Sequence, residues 1–208
     1  FIYKLIKDGV KVQFKDNNGI DTEDIVKVID FQKPENNEYL LVRQFKISGE
    51  RYNCRADLIL FVNGLPLVFI ELKASHKHIE NAFYDNITHY KKEIPQIFWY
   101  NAFIVVSNGT DAKFGTISSK WEHFSDWKKI DNENSKGIIS ADTLMKVMCS
   151  PKNLLDIIEN FTLYQETKGG LIKICGKNHQ FLGVNKAVTA FKNKDQNDGK
   201  LGVFWHTQ

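Results

Sequence analysis

Only three cysteines occur in the sequence, Cys54, Cys149 and Cys175; they lie far apart, are odd in number and include no C-x-x-C pair. That excludes a disulfide framework and a cysteine-built zinc site, and it fits reduced thiols in a cytoplasmic protein. Long apolar runs are also missing: none approaches the ~20 residues that a membrane-spanning helix requires, and no signal-peptide pattern is visible. Charge of one sign is scarce as well. Lys and Arg number 28 against 25 Asp and Glu, a net charge of +3, so any nucleic-acid surface must come from local clustering. An initiating Met is lacking, and the opening Phe1-Ile-Tyr-Lys-Leu-Ile6 reads as the end of a helix, so the sequence is expected to be a fragment.

What is present is a globular composition, 42% hydrophobic and 12% aromatic over 208 residues. That length supports one domain of roughly 150 residues plus a second piece. The stretch around which the chain is organised runs from Arg55 to Lys73, where two apolar runs, Leu58 to Val62 and Leu65 to Ile70, flank Asn63-Gly64. Asn-Gly between such runs predicts a tight β-hairpin. Its arms carry charge at their far ends, Asp57 on the first and Glu71 and Lys73 on the second. The second arm is apolar enough to be buried on both faces, so charge there needs a reason.

Strand geometry supplies one. Side chains alternate, so Glu71 and Lys73 share a face while Leu72 points to the other, expected to be the core. A two-residue Asn-Gly loop pairs Val62 with Leu65 and sets Asp57 against Ile70. A three-residue loop, or a bulge in either arm, sets Asp57 across from Glu71. Two facing carboxylates repel and drive one pKa up unless a divalent cation lies between them. Magnesium takes oxygen ligands, typically one or two carboxylates with waters and substrate phosphate oxygens. Lys73 on the same face can then help an attacking water and offset charge on a scissile phosphate. The competing reading is an amphipathic hairpin whose end charges are solvated or paired with one another.

Around the hairpin the pattern is α/β: a mixed β-sheet flanked by helices. Strands are expected at residues 10–14, 25–31, 39–47, 102–107 and 114–117. Asp30 is read as a turn or strand-end residue, with a further metal-side acid as the alternative. A helix from an N-cap at Ser75 to about Glu93 carries a buried stripe of Ile79, Ala82, Phe83, Ile87, Tyr90 and Ile94, with Asn86 and Tyr90 four apart on one face. Trp121 and Trp127 are expected to pack on the core. Residues 131–137 read as a linker, followed by helices at 140–149 and 151–164, a strand at 171–174, a helix at 178–191 and a short strand at 201–206.

Asp57 followed by Glu71-Leu72-Lys73 resembles the PD-(D/E)xK nuclease motif, with Ala56 where many members carry proline. The wider wording, including Asn63-Gly64-Leu65-Pro66, resembles the restriction (R) subunit of type I restriction-modification enzymes. The resemblance implies a magnesium-dependent endonuclease core, with Asp57, Glu71 and the Leu72 carbonyl as metal ligands and Lys73 as the catalytic cation. In that family a glutamine followed four residues later by tyrosine is associated with the nuclease site and DNA; here Asn86 and Tyr90 stand in those places. The tail, from Asn178-His-Gln180 to Gly202-Val-Phe-Trp-His-Thr-Gln208, resembles the approach to the helicase motor's phosphate-binding loop, with Gln180 in the place of an adenine-reading glutamine. The division implied is a nuclease domain over 1–130, a linker with helices over 131–170 and the start of an ATP-dependent motor over 171–208. Double-stranded DNA and the methylation and specificity subunits are the implied partners. The alternatives are a PD-(D/E)xK repair or junction nuclease, or a non-catalytic DNA-binding or docking module.

Overall fold

A computed structural model describes residues 2–49, 52–129 and 137–203 of the chain. Helix α1 (Ile2–Asp8) leads into a small antiparallel pair, β1 (Val10–Lys15) and β2 (Asp21–Val26). The main sheet is built from β3 (Tyr39–Ser48), β4 (Asn53–Val62), β5 (Leu65–Leu72), β6 (Phe103–Ser107) and β7 (Ala112–Gly115), hydrogen-bonded in that order. All neighbours are antiparallel except β5 and β6. A parallel pair needs a crossover, and the crossover is the helix over Ala82–Ile87 and α2 (Thr88–Glu93). Every residue of β6 is buried, as expected of a strand covered on both faces.

Each face of the sheet has its own apolar layer. On the first, Leu60, Val62, Val68, Ile70, Phe103 and Val105 meet Trp127 and helices α3 (Ala141–Met148), α4 (Pro151–Asn160) and α5 (Asn178–Lys192). On the second, Ile59, Phe69, Ile104 and Val106 meet the crossover helix through Phe83, Ile87, Tyr90 and Ile94. The first layer runs from Ile6 to Leu182, so stretches read from sequence as nuclease, linker and motor all contribute to it. A second hairpin, β8 (Thr162–Thr167) with β9 (Gly170–Cys175), follows α4.

Several boundaries depart from the sequence expectation. The crossover helix does not start at Ser75: residues 75–77 form a turn in which Lys77 N–H donates to the Ala74 carbonyl, and helical structure begins near Glu80. β2 ends at Val26, and Asp30 sits in a loop, where it accepts from the backbone of Gln32 and Lys33 and from the Asn36 amide. Helix α4 ends at Asn160, and the expected continuation to Tyr164 is strand β8. Residues 201–203 form no strand, and the rest of that expected strand lies outside the described residues, as does the expected linker apart from Gly137.

Two predictions follow from this packing. Trp127 has none of its surface exposed, and its ring lies 5.5 Å from Phe114 and 5.4 Å from Phe181. Trp127→Ala should therefore cost about 3–5 kcal/mol, read as a lowered urea midpoint. Lys173 is buried on β9; its Nζ donates to the Asn101 carbonyl and lies 5.4 Å over the Tyr164 ring. Burial lowers its pKa from 10.5 to about 8. Between those values the unfolded chain holds a proton that the folded one has released, so stability rises with pH across that window. Unfolding at pH 7.5 and pH 10 should show a rise of up to about 3 kcal/mol that is lost in Lys173→Met.

Candidate active site

The β4–β5 turn is locked by its first residue. Asn63 and Gly64 have φ of 48° and 79°, as a two-residue type I′ turn requires. Asn63 Nδ2 donates to the Val28 carbonyl and to Asn37 Oδ1, both at 2.8 Å, while its Oδ1 accepts from Glu38 N–H at 2.7 Å. Only an amide can both donate and accept in this way. Val62 pairs with Leu65, the register that alone would set Asp57 against Ile70. A bulge corrects it. Phe61 pairs with Pro66 but Leu60 pairs with Val68, leaving Leu67 as the extra residue. Leu58 then faces Ile70, and one step along Asp57 comes level with Glu71. Of the two routes open from sequence, a three-residue loop or a bulge, the chain takes the bulge, and it lies in the second arm.

Glu71 is 2% exposed, and among the described residues its Oε2 has no hydrogen-bond partner. Burial, and then the negative charge of Asp57, push its pKa up to about 8 from 4.5, with Lys73 pulling the other way. Asp57 is gripped on both oxygens: Gln44 Nε2 donates to Oδ1 at 3.0 Å and Leu72 N–H donates to Oδ2 at 2.9 Å. Lys73 leaves the sheet just beyond β5, where its backbone N–H donates to the Ser107 carbonyl and its Nζ donates to Asn86 Oδ1. Asn86 Nδ2 in turn donates to the Tyr90 hydroxyl at 3.4 Å, which donates to the Arg55 carbonyl at 3.2 Å.

Asn86 is carried on a π-helical turn, Ala82–Ile87, closed by Thr88 N–H donating to the Phe83 carbonyl five residues back. Single wide turns of this kind are frequent at functional sites. Asp57, Glu71, Lys73, Asn86 and Tyr90 are thus brought together. Tyr90 is buried, so its hydroxyl serves the Asn86–Lys73 relay from inside. Leu72 departs from expectation: it is 40% exposed, because the first apolar layer ends at Ile70, and its contribution is its amide on Asp57. Gln180 stands apart in the first turn of α5, where Oε1 accepts from Lys177 N–H at 2.8 Å. Gln44 was not found by sequence reasoning, because Ser48-Gly49 marks a turn after β3 but nothing in the residues marks the left-handed backbone at Gln44 that interrupts the ladder.

Among the described residues no group of three or more His, Cys, Asp or Glu converges. A cation held by Asp57 and Glu71 would complete its shell with backbone carbonyls, neutral side-chain oxygens, water or substrate, a donor set of the kind magnesium takes. The buried, unpartnered Glu71 Oε2 beside a second carboxylate fits a cation at this place.

The chain is 35% identical over 216 residues to the type I restriction enzyme HindI endonuclease subunit of Haemophilus influenzae, an alignment covering 99% of this chain and 20% of that protein. It is 31% identical over 147 residues to the type I restriction enzyme EcoprrI endonuclease subunit of Escherichia coli, covering 65% of this chain and 45% of the relative. The chain thus spans about one fifth of the HindI subunit's length. The family model for the type I restriction enzyme R protein N terminus matches residues 1–123, which include the whole Asp57–Tyr90 cluster. The chain belongs to the family of type I restriction enzyme R protein N termini.

Proposed function

We propose that this chain is the nuclease domain of a type I restriction enzyme R subunit, which hydrolyses phosphodiester bonds of double-stranded DNA with magnesium. The observation that carries the reading is the buried Glu71 carboxylate, unpartnered at Oε2 and level with Asp57 at the end of a central strand. Asp57 and Glu71, with the Leu72 carbonyl, would hold the ion, which supplies charge neutralisation and a more acidic water when bound. Lys73 is the cation left to meet the scissile phosphate, held in place by Asn86 and, through it, Tyr90. In the whole subunit, cleavage would follow translocation by an ATP-driven motor, in a cytoplasmic complex with methylation and specificity subunits. Among the described residues no helix is long and apolar enough to cross a membrane.

Calorimetric titration with Mg²⁺ or Mn²⁺ tests the site directly. The parent chain should bind and Glu71→Ala should not; equal heats in both would leave a docking module as the better reading. Because Glu71 must lose its proton to bind a cation, affinity should strengthen with pH, about tenfold per unit below pH 8 and little above it. In the full-length subunit assembled with its partners, Lys73→Ala should cut DNA cleavage by about 10²–10³-fold, and Asn86→Ala by about 10–100-fold. ATP hydrolysis, read in the same assay, should be unchanged in both.

A further inference from the structure

The ladder between β3 and β4 is interrupted at one level. Arg43 pairs with Leu58 and Phe45 with Ala56, but Gln44 and Asp57 between them do not pair. Gln44 there has φ of 53°, a left-handed conformation that is strained for a side chain of this kind inside a strand. Both strands exchange faces at this point. Leu58, Leu60 and Val62 of β4 and Tyr39 of β3 pack on the first apolar layer, whereas Ala56, Cys54, Phe45 and Ile47, which have the same parity along their strands, pack on the second. Regular alternation would keep each set on one face.

The swivel therefore sits beside the acid pair, and the residue that makes it also reaches the pair through its side chain. Among the described residues β3 is the edge strand, so on that side of Asp57 no described strand lies beyond it to fix the carboxylate. Gln44 Nε2 does so, opposite the grip of the Leu72 amide from β5. A neutral amide orients the carboxylate without placing a positive charge where a cation must sit. We propose that Gln44 is a positioning residue of the acid pair: its left-handed backbone swivels the edge strand, and its side-chain amide sets the Asp57 carboxylate toward Glu71. The benefit to a metal rests on the reading above; the hold on Asp57 does not.

Gln44→Gly separates the two contributions, since glycine adopts this backbone without strain but has no amide. Mn²⁺ titration, thermal unfolding and amide hydrogen exchange on the parent and the variant form the test. The variant should unfold at the parent's temperature or above it, bind Mn²⁺ about tenfold more weakly, and exchange the Leu72 amide about tenfold faster. Parent-like Mn²⁺ affinity together with parent-like protection of the Leu72 amide would overturn the proposal. Should the parent itself take up no Mn²⁺, the metal reading fails separately. Leu72 exchange then decides alone: unchanged protection in Gln44→Gly refutes the hold on Asp57, and faster exchange sustains it.

Discussion

The constraint on which this site depends is a carboxylate held in the middle of a sheet. β5 is hydrogen-bonded on both sides, to β4 and to β6, so Glu71 cannot be re-aimed by moving its strand. Its neighbours on that face are Phe69 and the crossover helix, which keep water away. An ionised carboxylate in such a place is costly, and a second one beside it raises the cost. The fold relieves the conflict in the free protein by keeping Glu71 protonated up to a pKa of about 8. On the proposed reading, a bound cation would relieve it by a different route.

Three local irregularities converge on that pair, and each answers a different geometric problem. The Leu67 bulge cancels the one-residue offset that the Asn63-Gly64 turn would otherwise impose. The swivel at Gln44 re-faces the outer end of β4 so that Cys54 and Ala56 can pack beneath the crossover helix while Asp57 stays at the site. The π-helical turn carries the Asn86 amide that anchors Lys73. Regular ladders and helices would supply the scaffold but not this convergence, which is why departures from regularity cluster around chemistry.

Much of this was legible in the residues. Asn63-Gly64 named the turn, the far-end charges named the candidate residues that the structure brings level, and strand parity called for a three-residue loop or a bulge, of which the structure contains the bulge. The stripe from Ile79 to Ile94 is buried throughout. What escaped was decided by tertiary contacts. Ser75 has the chemistry of an N-cap, yet the chain turns once more at Lys77 before helical structure begins. Beyond α4, Leu163 and Tyr164 continue an apolar rhythm, but Phe161 leaves helical geometry and the chain pairs with β9. Leu72 follows a buried run by sequence and is exposed because the layer beneath it stops at Ile70. Gln44 could not have been found, since its role comes from an interruption inside the ladder and from a backbone angle that glutamine does not favour.

The partner chosen for Lys73 completes the logic of the site. Its Nζ is tied to an amide oxygen, not to a carboxylate, so its position is fixed while its charge is not neutralised by the tie. Asn86 is itself held by the Tyr90 hydroxyl, and Tyr90 by the Arg55 carbonyl two residues before Asp57. The cation and the first carboxylate are therefore referenced to the same strand through a relay of neutral groups. On the proposed reading, carboxylates not tied to Lys73 would be free to take a metal and the ammonium free to meet a phosphate, which is what the proposed hydrolysis requires.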